Sequence, residues 1–200
     1  MRLPTRLPTS GEGVANPSYS YKPSLMGAAC RFELTGEGLV FRVPGRSGVW
    51  PYATIATIRL SYRPVSMQAQ RFRADIADAT GRSLPIVSVS WQSPARVAAQ
   101  DEPYRSFMTQ LHQRIAQGDG TPELRAGLSR PLYGFGLVMM ALVLLALLGL
   151  FIRAAMVEAY GGMLFLVGFA ALFGWQIGGF MRRNRPRSYT IDAIPADLLP

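Results

Sequence analysis

The amino-acid sequence predicts an α+β protein in which an antiparallel sheet, closed by an amphipathic helix, is followed by a hairpin of two transmembrane helices. The sheet is predicted because short segments of alternating polar and apolar residues, each bounded by turn residues, recur along residues 30–91. The hairpin is predicted because residues 132–181 carry only two formal charges, Arg153 and Glu158. Such a composition is typical of membrane-spanning segments.

The charge balance and the cysteine content narrow the class of protein. Of the 200 residues, 21 are basic and 12 are acidic, and Lys22 is the only lysine. This arginine surplus favours anionic partners, such as phospholipid headgroups or nucleic acid. Cys30 is the only cysteine, so an internal disulfide is excluded and a buried, inert thiol is predicted. Residues 1–29 are rich in Pro and Ser and lack the apolar segment of a secretory signal, and we expect a flexible tail there.

Residues 30–117 are predicted to form one folded domain with about five strands. The first two, CRFELT and LVFRV, are separated by Gly36 and Glu37, a two-residue link in which Gly permits the positive φ of a tight hairpin. The other three strands are predicted in YATIATIRLSY, RFRADIADAT and SLPIVSVSW, which are residues 52–62, 71–80 and 83–91.

Helical patterns follow the last of these strands. Residues 94–100, PARVAAQ, are expected to form a short helix with Pro94 at its first position. Pro103 then opens a longer amphipathic helix that reaches residue 117 and packs on the sheet. Its apolar residues recur at spacings of three and four, and they are Tyr104, Phe107, Met108, Leu111 and Ile115. Residues 118–131 are predicted to be a linker to the membrane.

Residues 132–152 and 160–181 are two uncharged runs, each long enough to cross a bilayer. As a helix the first run would be about 32 Å long, which matches a hydrocarbon core of about 30 Å. The alternative is a helical hairpin buried in a soluble core. It would need more surrounding protein than the rest of the chain supplies, and we therefore favour the membrane interpretation.

Arginines flank the outer ends of the two runs, whereas the loop between them holds one Arg and one Glu. Because basic residues near span ends are retained in the cytoplasm, the asymmetry predicts that both termini, including a basic tail at residues 182–200, are cytoplasmic. The same arginines would attract anionic lipid headgroups. These predicted topology anchors are Arg125, Arg130, Arg182, Arg183, Arg185 and Arg187.

Small residues recur every fourth position in the second run, at Ala170, Gly174 and Gly178. Such spacing places them on one helix face where another backbone can approach closely. Packing against the first run is the favoured interpretation, and homo-oligomerisation or docking on a membrane protein partner is the alternative. Neither run contains an Asp, Glu, Lys, Arg or His residue, which argues against an ion path or a proton relay.

The segments GEGLVFR, GRSG, WPYATIATIRL and DATGRSLPI, followed by the amphipathic helix, resemble the bacterial pleckstrin-homology-like (PH-like) domains of small membrane proteins. The resemblance covers residues 30–117. It implies a bent antiparallel sheet or partial barrel closed by a C-terminal helix, and a binding or assembly module at the bacterial inner (plasma) membrane. The chain differs from the family in having fewer predicted strands and in placing them before the spans.

Arginines of the predicted strands share the parity opposite to the inward apolar residues, so neighbouring strands would form a basic outer surface. One interpretation is a binding surface for anionic lipid or for a protein partner, with a further arginine on the adjoining loop. The other is a solvated charged face, partly balanced by Glu33 and Asp75. The seven candidates are Arg31, Arg42, Arg46, Arg59, Arg63, Arg71 and Arg73.

No catalytic, cofactor-binding or metal-binding site is predicted. His112 is the only histidine and lies far from Cys30 in sequence, beside the apolar stripe of its helix, where packing or solvent contact is expected. Phosphate-cradling and zinc-binding spacings are absent. Nucleic-acid binding has only the net charge in its favour, and no nucleic-acid partner is predicted. The sequence thus predicts a non-enzymatic membrane protein with a lipid- or protein-binding or scaffolding domain, or alternatively an accessory subunit that docks through its transmembrane helices.

Overall fold

The computed structural model describes residues 16–63, 71–93, 96–118 and 120–200. Within these ranges the chain is an α+β fold with several antiparallel sheets and three α-helices, two of them long and apolar, which confirms the predicted class. The strands are β1 (Ser18–Tyr21), β2 (Cys30–Leu34), β3 (Leu39–Val43), β4 (Arg46–Trp50), β5 (Ile55–Tyr62), β6 (Phe72–Asp78), β7 (Ser83–Val87), β8 (Val89–Ser93), β9 (Arg96–Ala99), β10 (Glu123–Ala126) and β11 (Arg187–Ser188). The helices are α1 (Asp101–Gln117), α2 (Arg130–Met156) and α3 (Tyr160–Arg183).

The first sheet contains β1 to β4 in sequential antiparallel order. Residues 35–38 connect β2 to β3, and the Thr35 N–H donates to the Gly38 carbonyl at 3.0 Å. The positive φ of this connection is at Gly38, 152°, and not at Gly36 as predicted. Gly38 is needed there because a Cβ at this position would collide with the backbone of Trp50 at the end of β4.

The second sheet has the order β11-β10-β5-β6-β7, and β8 and β9 form a separate two-stranded sheet. Within the second sheet β10 is parallel to β5, and the other neighbours are antiparallel. Its strands therefore come from three distant parts of the chain. This topology brings the segment before α2 and the segment after α3 to the same side of β5.

The buried apolar side chains of both sheets and of α1 form one hydrophobic cluster. The predicted apolar stripe of α1 faces this cluster, and each of its five members is at most 2% exposed. Burial of a large apolar side chain contributes about 1.5–3 kcal/mol, so this helix face is a major part of the core. Cys30 is buried in the same cluster, as predicted, and burial raises the pKa of its thiol.

Residues 18–21 form β1, so the prediction of a flexible tail is wrong for this segment. β1 pairs with β2, and its two tyrosines, Tyr19 and Tyr21, are each 3% exposed. Their hydroxyl groups donate to the carbonyls of Val87, at 2.6 Å, and Pro85 on β7. These bonds join the first sheet to the second. Residues 1–15 of the predicted tail lie outside the described part of the chain.

The number of strands also exceeds the prediction of about five. The described residues between 18 and 87 form seven, because β1 and β4 were not predicted. The segment 83–91 is divided at Ser88 between β7 and β8. The short helix predicted for residues 94–100 is wrong for residues 96–99, which form β9, antiparallel to β8, while residues 94 and 95 lie outside the described part of the chain. A helix of one or two turns leaves most of its terminal backbone groups unpaired, whereas pairing with β8 satisfies several of them.

The predicted linker and the predicted basic tail both contribute to the folded domain, which corrects both predictions. β10 lies within residues 118–131 and β11 within residues 182–200, and the two strands pair with each other. Farther along, Leu198 in the short 3-10 turn Ala196–Leu198 is 0% exposed and belongs to the core cluster. The C-terminal segment is thus docked on the domain.

α2 and α3 contain the two predicted uncharged runs and extend slightly beyond them. Their most apolar 18-residue windows have mean hydropathies of 2.9 and 1.7, and no residue of either window is buried. Both helices are therefore long and apolar enough to cross a membrane. Residues 157–159 connect them, and the helices contact each other, with Gly136 near the start of α2 beside Met181 near the end of α3.

The glycines of the small-residue face of α3 do not pack closely against α2, in contrast to the favoured interpretation. A Cβ added to Gly174 or Gly178 would meet no atom within 4 Å, so α2 does not approach either glycine closely. Ala170 is partly buried. On the same helix Phe165, Phe169 and Phe173 stack in succession, with ring centroids 6.3 Å apart at each step.

Candidate anion-binding cleft

The start of α2 is joined to the end of α3 at Gly127, immediately after β10. Gly127 has φ of +83°, a left-handed conformation that favours glycine, and its N–H donates to the Leu60 carbonyl of β5 at 2.7 Å. The next residue, Leu128, donates its N–H to the Asn184 carbonyl at 3.0 Å. A Cβ on Gly127 would lie closer than 3.0 Å to the carbonyl oxygens of Asn184 and Arg185. Two backbone segments meet here at a separation that only glycine allows.

Asn184 fixes the end of α3 to the sheet. Its side chain is 0% exposed; Oδ1 accepts from the Tyr62 N–H at 3.0 Å, and Nδ2 donates to the Tyr62 carbonyl at 2.9 Å. Nδ2 also donates to the Phe180 carbonyl at 3.2 Å. The amide therefore continues the hydrogen bonding of β5 as a neighbouring strand would. The guanidinium of Arg183 lies 4.6 Å from the centre of the Tyr62 ring, a cation–π contact at the same point.

We predict that Asn184→Ala lowers the free energy of unfolding by about 2–3 kcal/mol, because it leaves the Tyr62 N–H and carbonyl without their partner. Thermal unfolding of the full chain in detergent micelles should show a decrease in Tm of roughly 5–10 °C. Asn16→Ala is the matched control, since Asn16 is exposed and its side chain hydrogen-bonds, among the described residues, to Glu33 alone. An equal Tm for both variants would contradict the structural role of Asn184.

His112 and Tyr189 connect α1 to the C-terminal segment. The Nδ1–H of His112 donates to the Met108 carbonyl at 2.7 Å, and Nε2 accepts from the Tyr189 hydroxyl at 2.9 Å. Burial lowers the pKa of His112, which favours this neutral form, and burial raises the pKa of Tyr189. His112 is 1% exposed, so its role is packing and not solvent contact. A groove of about 760 Å³ lies beside it, between α1 and residues 191–200.

A second concavity, of about 330 Å³, lies where β5, β10 and β11 meet the start of α2. We call it the helix-proximal cleft. β5 contributes one arginine. The segment before α2, the first residue of α2 and the segment after α3 contribute three more, together with two serines. The charged and hydroxyl-bearing residues that line it are Arg59, Glu123, Arg125, Ser129, Arg130, Arg187 and Ser188.

Positive charge exceeds negative charge in the helix-proximal cleft. Arg125 forms an ion pair with Glu123. Arg187 forms one with Asp197. Among the described residues, neither Arg59 nor Arg130 has a carboxylate within 4.0 Å, so their charges are not neutralised by an ion pair.

Arg59 is in the least favourable electrostatic position of the four. It is the register partner of Arg125 on β10 and of Asp75 on β6. The Asp75 carboxylate is occupied by the guanidinium of Arg73, at 2.6 Å. Burial, and next the charge of Arg125, lower the pKa of Arg59. The charges of Asp75 and Glu123 oppose this shift of the pKa. An anion in the cleft would add to their attraction and offset the repulsion between Arg59 and Arg125.

The seven arginines predicted as a binding surface do not form one patch. Arg31 and Arg42 are register partners on the first sheet. Arg46 donates to the Ser83 carbonyl at 3.1 Å. Of the seven, only Arg59 lines the helix-proximal cleft. It lies there with three of the six predicted topology anchors, Arg125, Arg130 and Arg187, a grouping that the sequence did not indicate.

The remaining three arginines lie where β5 ends and β6 begins. Arg71 Nε donates to the Arg63 carbonyl at 3.2 Å, and burial lowers the pKa of Arg71, with smaller contributions from the charges of Arg73 and Arg63. Arg73 is paired with Asp75. This cluster is close to Tyr62, and therefore to the end of α3.

Comparison of the chain with protein-family models, with characterised proteins and with solved structures finds no match in any of the three. The described residues contain no group of three or more His, Cys, Asp or Glu side chains placed to hold a metal ion. The arrangement that the geometry does offer is a basic concavity next to two long apolar helices.

Proposed function

We propose that this chain is a non-enzymatic integral protein of the bacterial inner membrane, whose cytoplasmic domain serves as a lipid- or protein-binding or scaffolding module. The observation that carries the proposal is the junction at Gly127 and Asn184, which fastens the outer ends of both long apolar helices to one sheet. If the helices cross a bilayer, the whole folded domain lies on one side of it. The arginines at those outer ends favour the cytoplasmic side.

The domain is proposed to be PH-like. Support comes from the order of its elements, since an antiparallel sheet of four strands precedes the three consecutive strands β5 to β7, and α1 then closes the core. Domains of that kind bind lipids or proteins without performing a reaction. In agreement with a binding role, His112 uses both ring nitrogens for packing contacts and so is not free to act as a catalytic base.

Reporter fusions test the topology. Fluorescent protein fused at either terminus should fluoresce, whereas alkaline phosphatase should be active only when inserted in the loop at residues 157–159. An active phosphatase at the C-terminus would contradict the proposal. Carbonate extraction of the membranes tests whether the protein is integral. An integral protein stays in the pellet, as we expect here, whereas a peripheral one is released.

A second function, an accessory subunit of a larger membrane complex, is favoured by the open space beside Gly174 and Gly178. Another helix could approach α3 closely at that face. Purification in a mild detergent distinguishes the two functions. A stable particle much larger than 21.9 kDa plus its micelle would favour the subunit, and its dissociation by Gly174→Leu would assign the interface to α3. A single small particle would contradict it.

A further inference from the structure

We propose that the helix-proximal cleft binds the phosphate group of one anionic phospholipid, held chiefly by the guanidinium groups of Arg59 and Arg130. The inference rests on the proposed function, because a membrane lipid reaches the cleft only if α2 and α3 cross a bilayer. It goes beyond general attraction of lipids to arginine, since it assigns a defined site with one headgroup.

The charges of the cleft are arranged for an anion. Four arginines and one glutamate line it, and the two arginines without an ion pair among the described residues are Arg59 and Arg130. Guanidinium groups bind phosphate oxygens by charge-assisted, often bidentate hydrogen bonds. Neither side chain donates a hydrogen bond to any described residue, so both are available to a ligand without loss of an internal contact.

If α2 crosses a bilayer, the cleft also lies at the depth of the lipid phosphate groups. Arg130 is the first residue of α2, and the apolar run begins two residues later at Leu132. With a rise of about 1.5 Å per residue, Arg130 is about 3 Å from the start of the hydrocarbon region. Lipid phosphates occupy the polar layer immediately outside that region. A phosphate in the cleft would therefore be at the level of the headgroups.

The start of α2 supplies a further hydrogen-bond donor and the positive end of the helix dipole to the cleft. Ser129 precedes the helix, and its hydroxyl makes no capping hydrogen bond within the described ranges. The positive end of the helix dipole lies at this point and favours an anion. A volume of about 330 Å³ is at the lower limit of ligand pockets, which start at about 300 Å³. This size suits a phosphate diester with its glycerol oxygens.

Two other arginines provide a matched control. Arg182 and Arg185 are exposed, lie at the end of α3 and do not line the cleft. Replacing them removes the same charge near the same side of the apolar helices. A general electrostatic attraction would respond equally to both pairs of substitutions, whereas a defined site would respond only to the pair in the cleft.

The experiment is native mass spectrometry of the full chain in detergent, titrated with phosphatidylglycerol, with phosphatidylcholine and with inorganic phosphate. We expect one tightly retained phosphatidylglycerol, and at least about tenfold weaker retention after the double substitution Arg59→Gln and Arg130→Gln, which removes two charged contacts. The control, Arg182→Gln with Arg185→Gln, should change retention by less than about threefold, as expected for exposed charges.

Three outcomes would overturn the inference: equal losses in the two double variants, equal retention of phosphatidylglycerol and phosphatidylcholine, or displacement of the lipid by millimolar inorganic phosphate, which would indicate a soluble phosphate ligand. None of these outcomes would contradict the topology that the reporter fusions test. Conversely, a failed topology with a retained lipid would overturn the proposed function and not the binding site.

Discussion

Gly127→Ala is expected to destabilise the folded chain by at least about 4 kcal/mol. The left-handed conformation at φ +83° costs an alanine about 1 kcal/mol. The larger cost comes from the Cβ, which would lie closer than 3.0 Å to the carbonyl oxygens of Asn184 and Arg185. The Asn184 carbonyl cannot move away without breaking its hydrogen bond with the Leu128 N–H, so the junction of α2 and α3 must open.

Thermal unfolding of the full chain in detergent, followed by tryptophan fluorescence, would show the loss as a Tm lower by roughly 8–16 °C. Gly81→Ala is the matched control, because Gly81 has φ of +82° and a Cβ there meets no atom within 4 Å. It should lower Tm by roughly 2–4 °C. Similar losses at the two glycines would mean that backbone conformation alone, and not contact between the two segments, explains the glycine at residue 127.

The elements with a continuous local pattern are the ones that sequence reasoning could predict. The two apolar runs exceed the length needed to span a bilayer, and the stripe of α1 repeats over about three turns, so both patterns appear within a single window. The observed helices contain both runs, and the whole stripe is buried. In each case the periodicity of one segment determines its structure without knowledge of a distant partner.

The junction was missed because its partners are distant in sequence. ELRA, which forms β10, is four residues long, and its partner β5 lies more than fifty residues earlier in the chain. Asn184 follows a long apolar helix as many polar residues do, and nothing local indicates that its amide bonds to Tyr62. The grouping of Arg59 with Arg125 and Arg130 depends on that same parallel pairing, so the helix-proximal cleft could not be predicted.

The sequence of residues 182–200 contains a signal that this segment is folded. The predicted basic tail carries apolar residues at Ile191, Ile194, Leu198 and Leu199, a pattern unlike a solvated tail. All four pack in or against the core cluster. The last residues thus cover the groove side of α1 and contact β5, the strand that also carries Arg59 and Tyr62.

This common strand gives the domain a fixed orientation relative to the helices. β5 is bonded to β10 on the way into α2 and to Asn184 on the way out of α3. A single flexible linker would let the domain rotate and would leave a headgroup site at variable depth. With two attachments on one strand, Arg59 is held beside the start of α2, as the proposed lipid site requires.

Leu198→Asp tests whether the C-terminal segment belongs to the fold. Leu198 is 0% exposed in the core cluster, and a carboxylate there would have to be desolvated without a partner or the segment would detach. We expect a loss of about 3–5 kcal/mol and rapid cleavage of the segment in limited proteolysis. Leu25→Asp, at a residue that is 42% exposed, is the control and should leave both Tm and the cleavage pattern unchanged. If Leu198→Asp were equally silent, the segment would not be docked in solution, and the ion pair of Arg187 with Asp197 beside the cleft would be lost with it.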